Sequence, residues 1–131
     1  MTKLTPVQIS NKFFLENNLA KEPTLDDLTR VFIIAAKKYI NREIDSYSFS
    51  AISETIYSDF THTVDIWSSD LGNIVEEATE LNFYIGNLSI CANPQTPDHQ
   101  KALDHSIAVI RRTEDYIKRF LDRKVESNNN P

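Results

Sequence analysis

The sequence predicts an all-α fold, a single-domain bundle of four to five helices. Three observations carry this expectation. The chain of 131 residues holds only two glycines, whereas β-rich folds and phosphate-cradling loops both consume glycine. Apolar residues recur at three- and four-residue spacing, and no segment alternates with a convincing period of two. Helix-start signals, a Thr or Asp cap followed by Pro or a carboxylate, stand ahead of the periodic runs. With 40% hydrophobic and 25% charged residues, the composition is that of a globular chain long enough for one core. One domain over 1–126 and a disordered polar tail over 127–131 are expected.

Thr5-Pro6 reads as an N-cap followed by proline at the first helical position, opening a short helix through about Asn17. NNLAKEP connects it to the next. Thr24 with Asp27 three residues on has the form of a capping box, Asp replacing the usual Glu. Behind it Leu25, Leu28, Val31, Phe32, Ala35, Ala36, Tyr39 and Ile40 keep helical spacing, and Ile33 and Ile34 fill another face. A helix apolar on most sides belongs at the centre of a bundle. NREIDS breaks it. Asp45 or Ser46 can cap a third helix, in which Phe49, Ile52, Ile56 and Phe60 step by three or four.

FTHTVD is the next joint. The fourth helix has the clearest period, with Trp67, Leu71, Ile74, Val75, Ala78, Leu81, Ile85 and Leu88 on one stripe. ANPQTPD ends it. Thr96-Pro97-Asp98 repeats the cap-plus-proline signal, with a carboxylate suited to a helix N-terminus. The last helix sets Leu103, Ile107, Ile110, Ile117 and Leu121 on one side.

Composition excludes several classes. A single cysteine, Cys91, allows no intramolecular disulfide and no Cys-based zinc cluster; beside "NP" at a helix end it reads as a buried small residue. The opening MTKLTPVQIS lacks the apolar core of a signal peptide, and the longest strictly apolar run, VFIIAA (31–36), is far too short to span a bilayer. The expectation is a cytoplasmic protein without membrane contact.

The net charge of −5 conceals an asymmetry. Residues 1–96 hold seven Lys/Arg against thirteen Asp/Glu, and residues 97–131 hold seven against six. From Glu43 to Glu80 nine carboxylates stand without a Lys or Arg, and after Arg42 the next basic side chain is Lys101. So acidic a body disfavours direct nucleic-acid or anionic-membrane binding, because phosphate contacts need clustered cations. It attracts a basic protein instead.

No complete catalytic motif is present, and the reading is non-enzymatic, with no cofactor and no metal. Glu76, Glu77 and Glu80 form the most enzyme-like string, since helical spacing lets pairs of them share a face and present carboxylates to Mg²⁺. This EExxE resembles half of the site of the all-α nucleotide pyrophosphohydrolases of the MazG type. Their second half, an ExxD on the following helix, is missing: Ile117 follows Glu114 and Asn129 follows Glu126 at the required spacing. His62, His99 and His105 stand at no metal-ligand spacing. Ser46, Ser48, Ser50, Ser53 and Ser58 lack a nucleophile elbow and read as caps and solvent-facing fillers. The basic run RRTEDYIKRFLDRK (111–124) is interleaved with carboxylates, and Glu114–Lys118 and Asp115–Arg119 have the favourable i, i+4 order.

The acidic segment itself remains. Helical spacing sets Tyr47, Glu54 and Tyr57 off the Phe49/Ile52/Ile56/Phe60 stripe, with Ser50, Ser53 and Ser58 between them. Tyrosine beside carboxylates suits the grip of a Lys/Arg-rich protein surface. Glu54, Asp59 and Tyr57 are the first candidate partner contacts, followed by Tyr47, Asp65 and Glu76 or Glu77. A different expectation, burial of the second helix's apolar excess between subunits of a homo-oligomer, follows from Ile33 and Ile34.

The stretch KKYINREIDSYSFSAISETIYSDF (37–60) is similar to a segment of small bacterial immunity proteins of the colicin D and contact-dependent-inhibition type. There a helix ends, an Ile-plus-polar turn follows and a Phe-containing helix begins; Tyr39, Ile40, Ile44 and Phe49 carry the likeness, over less than a fifth of the chain. The resemblance implies a cytosolic helical protein that binds and blocks a basic nuclease toxin without catalysis.

Overall fold

The computed structural model describes residues 4–90 and 96–129. Its fold is an all-α bundle of five helices, α1 (Pro6–Glu16), α2 (Leu25–Ile40), α3 (Ser46–Phe60), α4 (Leu71–Ile90) and α5 (Pro97–Asn129), with a 3₁₀ turn at Ile66–Ser68. No strand occurs among the described residues. The chain forms two compact units, Met1–Thr79 and Glu80–Pro131, and α4 contributes residues to each. Cys91, and most of the ANPQTPD joint with it, lie outside the described residues.

The helices begin where local chemistry says they should. Thr5 Oγ1 accepts from the Gln8 amide while Gln8 Oε1 accepts from the Thr5 amide at 2.9 Å, a capping box ahead of Pro6. Thr24 and Asp27 make the second box, at 2.9 Å and 3.2 Å. That exchange holds the Asp27 carboxyl below its usual range, first through the Thr24 amide, then through its hydroxyl, with Arg30 adding a smaller pull. Asp45, not Ser46, caps α3 by accepting from the Ser48 amide at 2.8 Å. Thr96 caps α5 through the His99 amide.

α1 and α2 end alike. Leu19 donates to the Phe14 carbonyl and Asn18 to that of Leu15, while Glu43 donates to Lys38 and Arg42 to Tyr39. Each closure places one residue in the left-handed region, Asn18 at φ 57° and Arg42 at φ 63°. Asn tolerates that conformation and Arg less so. Arg30 Nη1 donates to the Asn17 carbonyl at 2.9 Å, so a side chain of α2 seals the end of α1.

In the first unit α2 supplies the centre, with Leu28, Val31, Phe32, Ala35, Ala36 and Tyr39 buried. Ile33 and Ile34 are half-buried. Tyr39 and Phe49 stack nearly parallel, ring centroids 4.8 Å apart, and Phe32 lies against Phe49 at 5.7 Å. Burial of rings and branched side chains of this size stabilises by about 1.5–3 kcal/mol each. Phe14 meets Phe60 edge-on at 6.1 Å, joining α1 to the half-buried end of the α3 stripe.

Two of the serines depart from the expected surface role. Ser50 is 5% exposed and Ser53 fully buried. Ser50 Oγ donates to the Ala78 carbonyl of α4, Ser53 Oγ to the Phe49 carbonyl, and Ser10 Oγ of α1 to the Ala51 carbonyl of α3. Thr55 donates in turn to Ser10 Oγ at 2.8 Å. Each hydroxyl is small enough for close helix approach, and its polarity is met by a main-chain acceptor or another hydroxyl.

In the second unit the buried row of α5 is Ser106, Val109, Thr113, Ile117 and Phe120. Leu103, Ile107, Ile110 and Leu121, expected to face inward, are half-buried beside it. The row is centred one position away from the purely apolar one because Ser106 and Thr113 are compact enough to be enclosed; Ser106 Oγ receives Asn87 Nδ2 at 3.3 Å. Asp115 and Arg119 close the expected ion pair at 3.0 Å. α5 continues to Asn129, three residues into the expected tail.

Candidate functional site

The structure separates the candidate contact residues into three places. Successive residues of an α-helix turn by about 100°, so Glu54 and Asp59, five apart, point about 140° away from each other. Glu54 and Tyr57 share the flank of α3 turned away from α1. Asp59 lies on the other flank, where it borders an open hollow of about 530 Å³ with Lys21, Glu22, Pro23, Phe60 and Thr63. Glu54 and Asp59 therefore lie on different flanks of α3. Tyr47 sits ten residues before Tyr57, roughly 15 Å along the axis. It is half-buried, and its hydroxyl donates to the Leu4 carbonyl at 3.4 Å.

The cation-free run is a property of the sequence more than of the surface. Lys21, from the α1–α2 connector, lines the same hollow as Asp59. Lys12, ion-paired to Glu16 at 4.0 Å, borders a groove with Ile44, Ser48 and Ile52. Both cations reach the side of α3 that faces α1.

On the opposite flank an aromatic pair stands out. Trp67, expected in the buried stripe of the fourth helix, instead lies in the 3₁₀ turn ahead of it and is 47% exposed; Ile66 is the residue buried there. Tyr57 is 39% exposed. Their rings meet edge to face at 88°, with centroids 6.1 Å apart.

Local chemistry explains the turn. Asp65 Oδ1 accepts from the Trp67 amide at 3.1 Å and the Asp65 carbonyl accepts from Ser68 Oγ at 2.8 Å. Ser69 Oγ accepts from the Leu71 amide at 3.2 Å as α4 opens. Gly72 then makes room for the indole. A Cβ at this glycine would stand 2.6 Å from Trp67 Cε3 and 2.9 Å from Cδ2, closer than real Cβ atoms come to neighbours. The ring thus rests on helix backbone, fixed from below by α4 and from the side by Tyr57.

Three carboxylates flank the pair in the chain. Glu54 is three residues before Tyr57 on the same flank, Asp65 is two residues before Trp67, and Glu76 is one turn beyond Gly72. All three are exposed. Glu77 is half-buried, and its Oε2 is enclosed without a hydrogen-bond partner. Among the described residues no three His, Cys, Asp or Glu side chains gather into a metal-holding group, so the Glu76, Glu77 and Glu80 string acquires no further ligand there. No helix among the described residues is long and apolar enough to cross a membrane.

Tyr57, Glu54, Asp65 and Glu76 are among the contact candidates named from the sequence, whereas Trp67 is assigned there to the core stripe and Gly72 is not singled out. The signal was available: a chain with two glycines spends one of them five residues after its only tryptophan. Of the residues on which the expected immunity-protein resemblance rests, Tyr39 and Phe49 are the stacked core rings, while Ile40 and Ile44 are half-buried. The chain matches no family model, no curated protein and no solved structure.

Proposed function

We propose that the chain is a non-enzymatic binding protein for a basic protein partner, most concretely an inhibitor of the immunity or antitoxin kind that masks a cationic, nuclease-type toxin surface. The observation that carries the reading is the exposed Tyr57–Trp67 pair, with the exposed carboxylates Glu54, Asp65 and Glu76 a few residues away in the chain from Tyr57, Trp67 and Gly72. Large, partly exposed rings in an acidic stretch of the chain have the composition of an interface hot spot for a basic surface. Such carboxylates accelerate and orient the encounter, and the rings supply desolvated contact area. The inhibitor role adds to this the resemblance over 37–60 and a cytoplasmic setting.

The test is affinity capture. Immobilised protein is exposed to lysate of the source cells at low salt, eluted with a salt gradient, and the eluate identified by mass spectrometry. One basic protein eluting late and lost with Glu54→Lys is the expected result. An empty column, or capture indifferent to that charge reversal, overturns the reading.

A further inference from the structure

The geometry points to a specific role for the aromatic pair: we infer that Tyr57 and Trp67 form a seat for an arginine side chain of the partner, the guanidinium lying against the two rings with Glu54 and Asp65 beside it. The inference rests on the reading of the chain as a binder of a basic protein and names the chemistry of its central contact.

Three features on this flank select a guanidinium. Two rings that meet edge to face at 88°, with centroids 6.1 Å apart, stand together at the surface. A flat cation suits the face of an indole better than a compact ammonium, because it stacks and gives up its hydration more readily. Tyr57 and Trp67 remain 39% and 47% exposed as residues, which leaves surface for an incoming side chain. The indole position is set by the missing side chain at Gly72 and by the Asp65 hydrogen bond to the Trp67 amide, so little ordering is needed on binding.

Charge decides the occupant. No Lys or Arg occurs between Arg42 and Lys101, and the cations that approach α3 from α1 and its connector do so on the other flank. Elsewhere this chain places its own cations over rings, Arg42 at 5.8 Å from the Tyr39 centroid and Lys124 at 5.1 Å from that of Phe120. The charged residues nearest Tyr57 and Trp67 in sequence, Glu54, Asp59, Asp65 and Asp70, are all carboxylates, which favours a cation supplied by a partner.

The only tryptophan makes the seat its own reporter. At low salt, an acetylated and amidated tetra-arginine peptide titrated into the full chain quenches Trp67 emission saturably. A tetra-lysine peptide of equal charge binds more weakly. Glu54→Gln and Tyr57→Ala each raise the dissociation constant for tetra-arginine about fivefold, with circular dichroism confirming an unchanged helix content. Should Tyr57→Ala lose helix, Tyr57→Leu keeps the bulk without the ring and carries the same expectation. Equal affinity for the two peptides, no saturable response, or an affinity unmoved by both the Glu54 and Tyr57 variants overturns the seat. The column experiment judges the wider reading separately: a basic protein lost with Glu54→Lys but held by Tyr57→Leu sustains that reading while removing the seat.

Discussion

Ser50 Oγ donates to the carbonyl oxygen of Ala78 at 2.9 Å, a buried bond that joins α3 to α4. The contact works because serine adds one small polar group to a close helix crossing. Ser50→Ala leaves the carbonyl its place in the helix ladder and costs about 1 kcal/mol. Ser50→Val forces a branched side chain into the crossing and costs more, about 1–3 kcal/mol from overpacking in addition to the lost bond. Urea unfolding reads both as a lower midpoint at unchanged slope; a valine variant as stable as the alanine one would show slack between the helices.

Gly72→Ala inverts an ordinary expectation. Inside a helix that exchange stabilises by roughly 0.5–1 kcal/mol. Here the added Cβ meets the Trp67 ring at 2.6 Å, and the indole must leave its place. Thermal unfolding is expected at no higher temperature than in the parent, with tryptophan emission shifted to the red. An unshifted spectrum with a higher midpoint would mean that the indole does not rest on this helix.

Acid sensitivity has a local source in the second capping box. Because the folded-state pKa of Asp27 is depressed by the Thr24 amide and hydroxyl, its stabilisation is present above the unfolded-state value, about 3.9, and is lost as pH falls through the lower folded value. Asp27→Asn removes that loss, so its stability falls less steeply than the parent's below about pH 4. Parallel curves for the two proteins in guanidinium titrations across this range would contradict the assignment.

The two acidic candidates on α3 are predicted to behave differently. Glu54→Lys reverses charge beside the aromatic pair and weakens partner binding by several-fold or more, with a reduced salt dependence. Asp59→Lys acts on the other flank, in the hollow that Lys21 also lines, and is expected to change affinity little. Equal losses in surface plasmon resonance would place the interface across the end of α3 instead.

Much of the fold is legible in the sequence because caps and periodicity are local. Thr24 and Asp27 are three residues apart, and their exchange of hydrogen bonds needs nothing from the rest of the chain. The inward rows of α2 and the first half of α4 follow from spacing alone. Ser50 and Ser53 were not legible: a serine is enclosed only when another element brings an acceptor or closes over it. Trp67 was misplaced for the opposite reason. Its size argues for burial, but the Asp65 bonds wind it into a 3₁₀ turn and the gap at Gly72 leaves it on the surface. The separation of Glu54 from Asp59 could have been read from helix geometry, whereas the meeting of Lys21 and Asp59 at one hollow depends on a connector whose path no local pattern encodes.

The ties on α1 have a consequence for how this part of the molecule opens. It is held at its middle by the buried Ser10 and at its end by Arg30, while Val7 and Leu15 stand 63% and 81% exposed. Eleven residues are too few to remain helical alone in water. The segment therefore has two conditions, docked and wound or released and coiled, without a wandering rod between them. Its amides should trade their hydrogens with solvent at one common rate, as a latch does that opens all at once.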